Sequence, residues 1–298
     1  MSLPLSVVNY FDARVVRAYK APLQATNMIA KGDPLPPGTG YITRDQIANF
    51  TGTAKRGYRV RTIPRETGER TPKTVTVQEH TYGFELHRKA LQAYERQGET
   101  ALNGEDASQS GRLVAESLDD VIWNGDANAS IKGIYSDAGL TPFELEEGAE
   151  WDNTATPTGP DVTIVEAMSQ LEDTQLYIGM AKKMALNPKP YWQLFNRVPN
   201  TSNTYMDYIE QFFPNGRNDI YISAQLGTGV GSGLLCYFDP LVAERNIEED
   251  INTRVVNGGV PDKEDMIYFN VETYQALDIH HDDAFLPLEN LVEDADSS

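Results

Sequence analysis

The strongest structural signal in this chain lies in residues 57–82, GYRVRTIPRETGERTPKTVTVQEHTY. Residues 58–63 and 74–77 are rich in β-branched residues and predict two strands, and the proline-bounded segment 64–72 predicts a polar tip between them. Together they predict a long β-hairpin. An isolated two-stranded hairpin is marginal in water, so this one needs another surface to lie on. The alternative is a basic loop without regular structure.

Positive charge is concentrated on this hairpin and on the segment that precedes it. Residues 1–91 carry 14 Lys and Arg against 7 Asp and Glu, whereas residues 92–298 carry 11 against 37. A basic arm joined to an acidic body is expected when the arm of one copy lies on the body of another. The sequence therefore predicts a building block of an assembly. The residues that we expect to make this contact between copies are Arg59, Arg61, Arg65, Arg70 and Lys73.

Length and composition favour a globular protein with a substantial core. The chain has 298 residues, of which 40% are hydrophobic and 23% charged, enough for about two domains. The single cysteine, Cys236, excludes an internal disulfide framework and favours a reducing compartment. Residues 220–238 are uncharged, but their glycines predict two strands joined by a turn rather than a membrane-spanning helix. No membrane partner is expected. The net charge of −19 is also seen in proteins from salty cytoplasm, although an ordinary acidic protein explains it as well.

Helices and strands are interspersed along the whole chain, which predicts an α+β fold. Helical spacing of apolar residues predicts helices at 6–19, 84–97 and 106–123. The last of these, here called the spine helix, has Asp106 as its predicted N-cap and ends at Asn124-Gly125. The other predicted elements are a short helix at 44–50, a helix marked by Ile164, Val165, Met168 and Leu171, a strand at 184–186, a helix after Asn187-Pro188, a glycine-linked hairpin of 219–224 with 234–238, and antiparallel strands at 251–256 and 266–271.

The motifs of known enzyme classes are missing from the sequence. The glycine-rich run 227–233 precedes a predicted strand, not the helix that a dinucleotide-binding loop requires. A metal-dependent hydrolase that uses His280, His281 and Asp283 is a remote alternative, because neighbours in an extended chain point to opposite faces. We therefore predict a protein that is not an enzyme, with no catalytic residues, no metal ligands and no cofactor.

The order of elements from about residue 50 to 285 resembles that of the major capsid proteins of tailed double-stranded-DNA viruses. These proteins have the Hong Kong 97-like fold, which is also the fold of encapsulin shells. The hairpin is similar to the extended loop of that family, and Asp106–Trp123 is similar to its spine helix. Trp123-Asn-Gly-Asp126, followed by Ile131-Lys-Gly-Ile134, is similar to the family's exit from the spine helix. Ala185-Leu-Asn-Pro188, with Tyr191 and Leu194, is similar to the strand-to-helix step of the family's axial domain. Asp239-Pro240 is similar to the point where the chain returns toward the peripheral domain.

The resemblance implies a complete architecture and a function. Its segments would be an N-terminal arm (1–50) running beneath neighbours, the extended loop (51–83), a peripheral domain with the spine helix (84–160), an axial domain (161–243), and return strands with a C-terminal tail (244–298). It implies a major capsid protein, assembled in the host cytoplasm as hexamers and pentamers into an icosahedral virion around double-stranded DNA held without sequence specificity. Scaffold, portal and decoration proteins would be further partners. A shell protein of an encapsulin-type compartment is the alternative.

Overall fold

The computed structural model describes residues 4–20, 24–47, 70–98, 102, 104–146, 148–153, 159–173, 179–227, 229, 231–256, 260 and 265–293. The helices are α1 (Leu5–Lys20), α2 (Arg88–Gln97), α3 (Glu105–Asn124), α4 (Pro160–Glu172), α5 (Pro188–Gln193) and α6 (Tyr205–Ile209). The strands are β1 (Ala30–Lys31), β2 (Tyr41–Ile47), β3 (Arg70–Thr76), β4 (Gln78–His87), β5 (Phe143–Glu144), β6 (Lys182–Leu186), β7 (Ile220–Ile222), β8 (Gly233–Tyr237), β9 (Ala243–Val255), β10 (Met266–Ile279) and β11 (Phe285–Glu289). None of the described helices is long and apolar enough to cross a membrane.

The first of two large sheets has the strand order β1-β9-β10-β4, with β10 antiparallel to both of its neighbours. Helix α3 packs against β4 and β10, and α1 packs against α3 and β9. Phe11 of α1 meets Phe84 and Phe269 edge to face, with 5.2 Å between ring centroids in each pair. These aromatic contacts join α1 to the sheet. The antiparallel strands predicted near 251–256 and 266–271 are confirmed as the much longer β9 and β10.

The spine helix is confirmed as α3, and the pattern of its sequence explains its position. Its buried face carries Val114, Leu118 and Ile122 at helical spacing. Gly111 lies so close to α1 that an added Cβ would be 2.8 Å from the carbonyl oxygen of Val15. The prediction of Asp106 as N-cap is wrong, because the helix starts after Gly104. Asp106 lies in the first turn, where a carboxylate is favoured by the helix dipole.

Helix α1 is confirmed by the structure, but it belongs to the body of its own chain. Its apolar stripe is buried against α3 and β9, and consists of Val7, Phe11, Val15 and Tyr19. The buried carboxylate of Asp119 in α3 accepts hydrogen bonds from the backbone N–H groups of Gln24 and Ala25, at 2.9 and 2.8 Å. Residues 5–20 of the predicted N-terminal arm therefore pack on their own chain, and the contact of the arm with neighbouring copies stays a prediction.

The second large sheet has the order β5-β11-β8-β6-β7 and is covered by α4. The strands predicted at 219–224 and 234–238 exist as β7 and β8, but the prediction that they form a hairpin is wrong because β6 lies between them. Every residue of β8 is buried. A strand buried on both faces needs a partner at each edge, and β6 and β11 supply both. The predicted helix after Asn187 is confirmed as α5, with Pro188 in its first turn.

Two predicted helices are partly strand. Residues 44–47, predicted to start a short helix, belong to β2, and residues 84–87, predicted as helix, extend β4 until His87 caps α2. Phe84 and Phe269 face each other across β4 and β10 with stacked rings 4.8 Å apart. This cross-strand pair stabilises the extended backbone more than the local helical pattern favours a helix.

The predicted division of the chain into five segments stays a prediction, but the five-stranded sheet includes strands from more than one of those segments. Strands β5 and β11 lie outside the proposed axial range 161–243, yet both belong to the five-stranded sheet.

Candidate functional site at the base of the extended loop

A separate two-stranded ribbon, formed by β2 and β3, contacts the body at the end of β10. Strands β2 and β3 pair antiparallel from Tyr41 opposite Thr76 to Ile47 opposite Arg70. Strand β3 then continues into β4 after one residue, Val77. The predicted strand at 74–77 is therefore part of a hairpin, but its partner is β2. The predicted partner strand, 58–63, lies outside the described residues, as does most of the predicted tip.

The five predicted contact residues fall into two groups. Arg59, Arg61 and Arg65 lie outside the described residues. Arg70 is at the far end of the described ribbon with 68% of its side chain exposed, and its guanidinium is 3.6 Å from the Asp45 carboxylate. An ion pair of two exposed side chains contributes little, so Arg70 remains free to bind a carboxylate of another copy. Its contact role stays a prediction.

An ion pair between Arg44 of β2 and Asp278 of β10 fixes the ribbon to the body. The Arg44 Nε atom is 2.6 Å from Asp278 Oδ2, and its Nη2 atom donates to Asp278 Oδ1 at 2.8 Å. The same nitrogen donates to the carbonyl oxygen of Ile279 at 3.1 Å. Only 1% of the Asp278 side chain is exposed. The Nη2 contact is a charge-assisted hydrogen bond and the Nε contact is a close ion-pair approach, and together they hold β2 against the end of β10.

Lys73 strengthens the same attachment from β3. Its Nζ atom donates to the carbonyl oxygen of Ile279 at 2.6 Å, and burial lowers the pKa of its ammonium group. Lys132, which lines the same small pocket as Lys73, forms an ion pair with Asp282. Lys73 therefore has a partner within its own chain, at the base of the loop, and its predicted contact with a second copy is untested.

His280 lies beside this ion pair. Its Nε2 atom is 3.8 Å from Glu244 and 3.9 Å from Asp278, and burial lowers the pKa of its imidazole. Among the described residues, these three side chains are the group of potential metal ligands that comes together. The set differs from the predicted His280, His281 and Asp283. Because Arg44 already contacts both oxygens of Asp278, we interpret the group as the Arg44–Asp278 ion pair with a neutral His280 beside it, and not as a metal site.

Sequence reasoning missed Arg44 and Asp278, although one signal was present. Asp278 interrupts the apolar run Ala276-Leu277-Asp278-Ile279 in β10. A carboxylate in a buried strand needs a cationic partner, so a charge at this place indicates an ion pair. Its partner is 234 residues away in the chain, and the sequence does not identify it.

Comparison with solved structures shows the Hong Kong 97-like capsid fold. The virus-like particle from Pyrococcus furiosus matches with a TM-score of 0.66 and 13% identity, over 95% of this chain and 99% of that one. Microbacterium phage Oxtober96 matches with a TM-score of 0.63 and 14% identity, over 90% of this chain and 91% of that one. The capsid of Myoviridae phage XM1 matches with a TM-score of 0.59 and 14% identity, with the same coverage.

A comparison of sequences gives the family. No curated protein sequence matches the chain. Residues 4–231 match the family Linocin_M18, which is described as "Encapsulating protein for peroxidase". That match covers well over half of the 298 residues and includes α1, both strands of the ribbon and α3 to α6. The chain belongs to the Linocin_M18 family of encapsulating proteins.

Proposed function

We propose that this chain is the subunit of a self-assembling icosahedral shell. The observation that carries the proposal is end-to-end likeness to a particle-forming protein, over 95% of this chain and 99% of the other. The function of such a subunit is to contact copies of itself, and repeated identical contacts close a shell by symmetry. This role is structural and requires no catalytic group.

The likenesses favour a shell that encloses protein. The sequence family has an encapsulating protein in its description, whereas the similarity to phage capsids is one of fold at 14% identity or below for the capsids named above. The net charge of −19 per copy would also repel a phosphate backbone. The second candidate is a virion head around double-stranded DNA, which the fold matches to phage capsids support. Only that candidate needs portal, scaffold or decoration proteins.

The proposal extends to roles for the parts of the fold. We propose that the four-stranded sheet with α1 and α3 acts as the peripheral domain and the five-stranded sheet with α4 to α6 as the axial domain. The extended loop, directed by Arg44 and Asp278, would lie on the neighbouring copy. Each exposed ion pair there would contribute only about 0.2–1 kcal/mol, so many must act together with apolar burial.

Electron microscopy and sedimentation velocity of the purified full-length chain test the shell directly. Hollow particles of uniform diameter are the expected result. A stable monomer at all concentrations and ionic strengths would refute the proposal.

The contents are tested on shells isolated from cells that produce them naturally. After nuclease treatment of intact particles, we expect a co-purifying protein in mass spectrometry and no protected DNA. Long double-stranded DNA that survives nuclease treatment would instead establish the virion head.

The loop contact is tested by reversing three charges, Arg59→Glu, Arg61→Glu and Arg65→Glu. We expect loss of shells with an unchanged urea unfolding midpoint, because these side chains are predicted to pair outside their own copy. The matched control reverses three exposed cations on α1 and α2, Arg14→Glu, Lys89→Glu and Arg96→Glu. If both triple variants lose shells equally, net charge rather than the loop contact is responsible.

A further inference from the structure

Helix α5 presents an exposed aromatic surface on a firmly anchored element. Leu194 and Pro190 are buried beneath it, and the N–H of Met206 donates to the carbonyl oxygen of Leu194 at 2.7 Å. On the outside, Trp192 is 62% exposed and its ring lies 5.5 Å from that of Phe195, which is also exposed. Two large aromatic side chains held rigidly in solvent are typical of an interface anchor.

The segment that carries this surface has positive charge of its own. Residues 188–197 contain Lys189 and Arg197 and no acidic residue. Lys189 pairs with Asp152 at 3.0 Å. Arg197 is exposed, and no described carboxylate lies within ion-pair distance of its guanidinium. We call Trp192, Phe195 and Arg197 the α5 surface.

Helix α4, in the same domain, presents a surface of opposite charge. Its inner face packs on β8 and β11 through Ile164, Ala167, Met168 and Leu171. Its outer face exposes Val162 and Val165, one helical turn apart, with Glu166 beside them. No basic residue occurs in α4. We call Val162, Val165 and Glu166 the α4 surface.

We propose that the α5 surface of one copy binds the α4 surface of the next copy in the shell. The inference rests on the proposed shell function and names the faces that join adjacent copies. A contact between two α5 surfaces contains no carboxylate for Arg197, and a contact between two α4 surfaces contains no cation for Glu166. The mixed contact pairs apolar with apolar and positive with negative.

A contact between two different faces of identical copies is head to tail. Such contacts close into rings when the rotation between copies divides the circle. The α5–α4 contact is therefore one that can close copies into a ring, and it is separate from the contact proposed for the extended loop.

A charge swap tests this pairing. Arg197→Glu and Glu166→Arg should each raise the concentration needed for shell formation at least tenfold, and the double variant should restore assembly to near the wild-type concentration. Trp192→Ser should act like the single variants, because central aromatic anchors carry much of the energy of an interface. Glu95→Arg, at an exposed site on α2, is the matched control and should assemble normally. Sedimentation velocity measures all of them.

Crosslinking supplies a second readout that does not depend on charge. The native Cys236 is buried and will not react. The variant Ser169→Cys with Asn196→Cys, treated with a bismaleimide, should give a ladder of linked copies on a denaturing gel, while each single variant should give at most dimers.

The outcomes separate the two proposals. If the wild-type chain forms no shells, the proposed function fails. If it forms shells and the single charge variants assemble normally, or the double variant fails to recover, the α5–α4 contact is wrong. Recovery of a variant only after addition of another purified protein would assign the surfaces to that partner and likewise overturn the proposal.

Discussion

Removing the cation at the base of the extended loop should separate the stability of the subunit from its ability to assemble. In Arg44→Met, the methionine can fill most of the space of the arginine stem but cannot neutralise Asp278. The carboxylate has 1% of its side chain exposed and would lose both of its contacts with Arg44, at 2.6 and 2.8 Å. A carboxylate left without its cation in such a place is strongly destabilising.

The magnitude follows from the burial of the pair. Removal of one partner of a buried ion pair costs about 3–5 kcal/mol, because the remaining charge is uncompensated. We expect the lower end of that range, since the Lys73 ammonium also lies near Asp278 and supplies part of the lost attraction. The double variant Arg44→Met with Asp278→Leu removes the charge as well, and its subunit should regain most of the lost stability.

Assembly should respond differently. The apolar pair lacks the charge-assisted hydrogen bond and the close ionic contact, so we expect it to hold the ribbon in a less defined direction. We expect the double variant to unfold in urea near the wild-type midpoint and yet to form fewer or irregular shells by electron microscopy. Normal shells from the double variant would refute the idea that this ion pair directs the loop. A cost below about 1 kcal/mol for Arg44→Met would refute the energetic argument.

Two further predictions concern the attachment of α1 to α3. Burial raises the pKa of Asp119 to about 6 from 3.8. The stability linked to protonation of this carboxyl is therefore complete below pH 3.8 and is lost as the pH rises through 6. In urea unfolding between pH 4 and 7, the wild type should lose up to about 3 kcal/mol of stability relative to Asp119→Asn. A flat difference across that range would contradict the assignment. Gly111→Val should lower the free energy of unfolding by about 1–3 kcal/mol, because its side chain would meet the Val15 backbone, whereas Gly40→Ala, with open space around it, should not.

The parts of the fold that could be predicted from sequence are those whose signals are local. Apolar spacing was sufficient for α1 and α3, and Asn187 followed by Pro188 was sufficient for the start of α5. The residues that determine each of these elements lie within or next to the element itself. The same local reasoning failed at residues 84–87, where the decisive contact, Phe84 with Phe269, comes from a strand far along the chain.

Strand pairing required information that no local pattern contains. Strands β7 and β8 were correctly located and wrongly paired, because β6 is inserted between them from earlier in the chain. For the same reason the pairing of β3 with β2 was not predicted, since β2 precedes it by more than twenty residues. The positive charge of the loop was visible in the sequence, but the ion pair that directs it was not.

The charge asymmetry along the sequence therefore has two separate structural consequences. At the base of the loop, basic residues of the N-terminal part contact acidic residues of the same chain, as Arg44 does with Asp278. Farther out, Arg70 is exposed and has only a weak contact with Asp45. A loop whose cations were all satisfied within the chain would have no electrostatic reason to seek a neighbour. A loop with none satisfied would have no fixed direction. Cations anchored at the base, together with an exposed cation such as Arg70 farther out, are the arrangement that the proposed contact between copies in a closed shell requires.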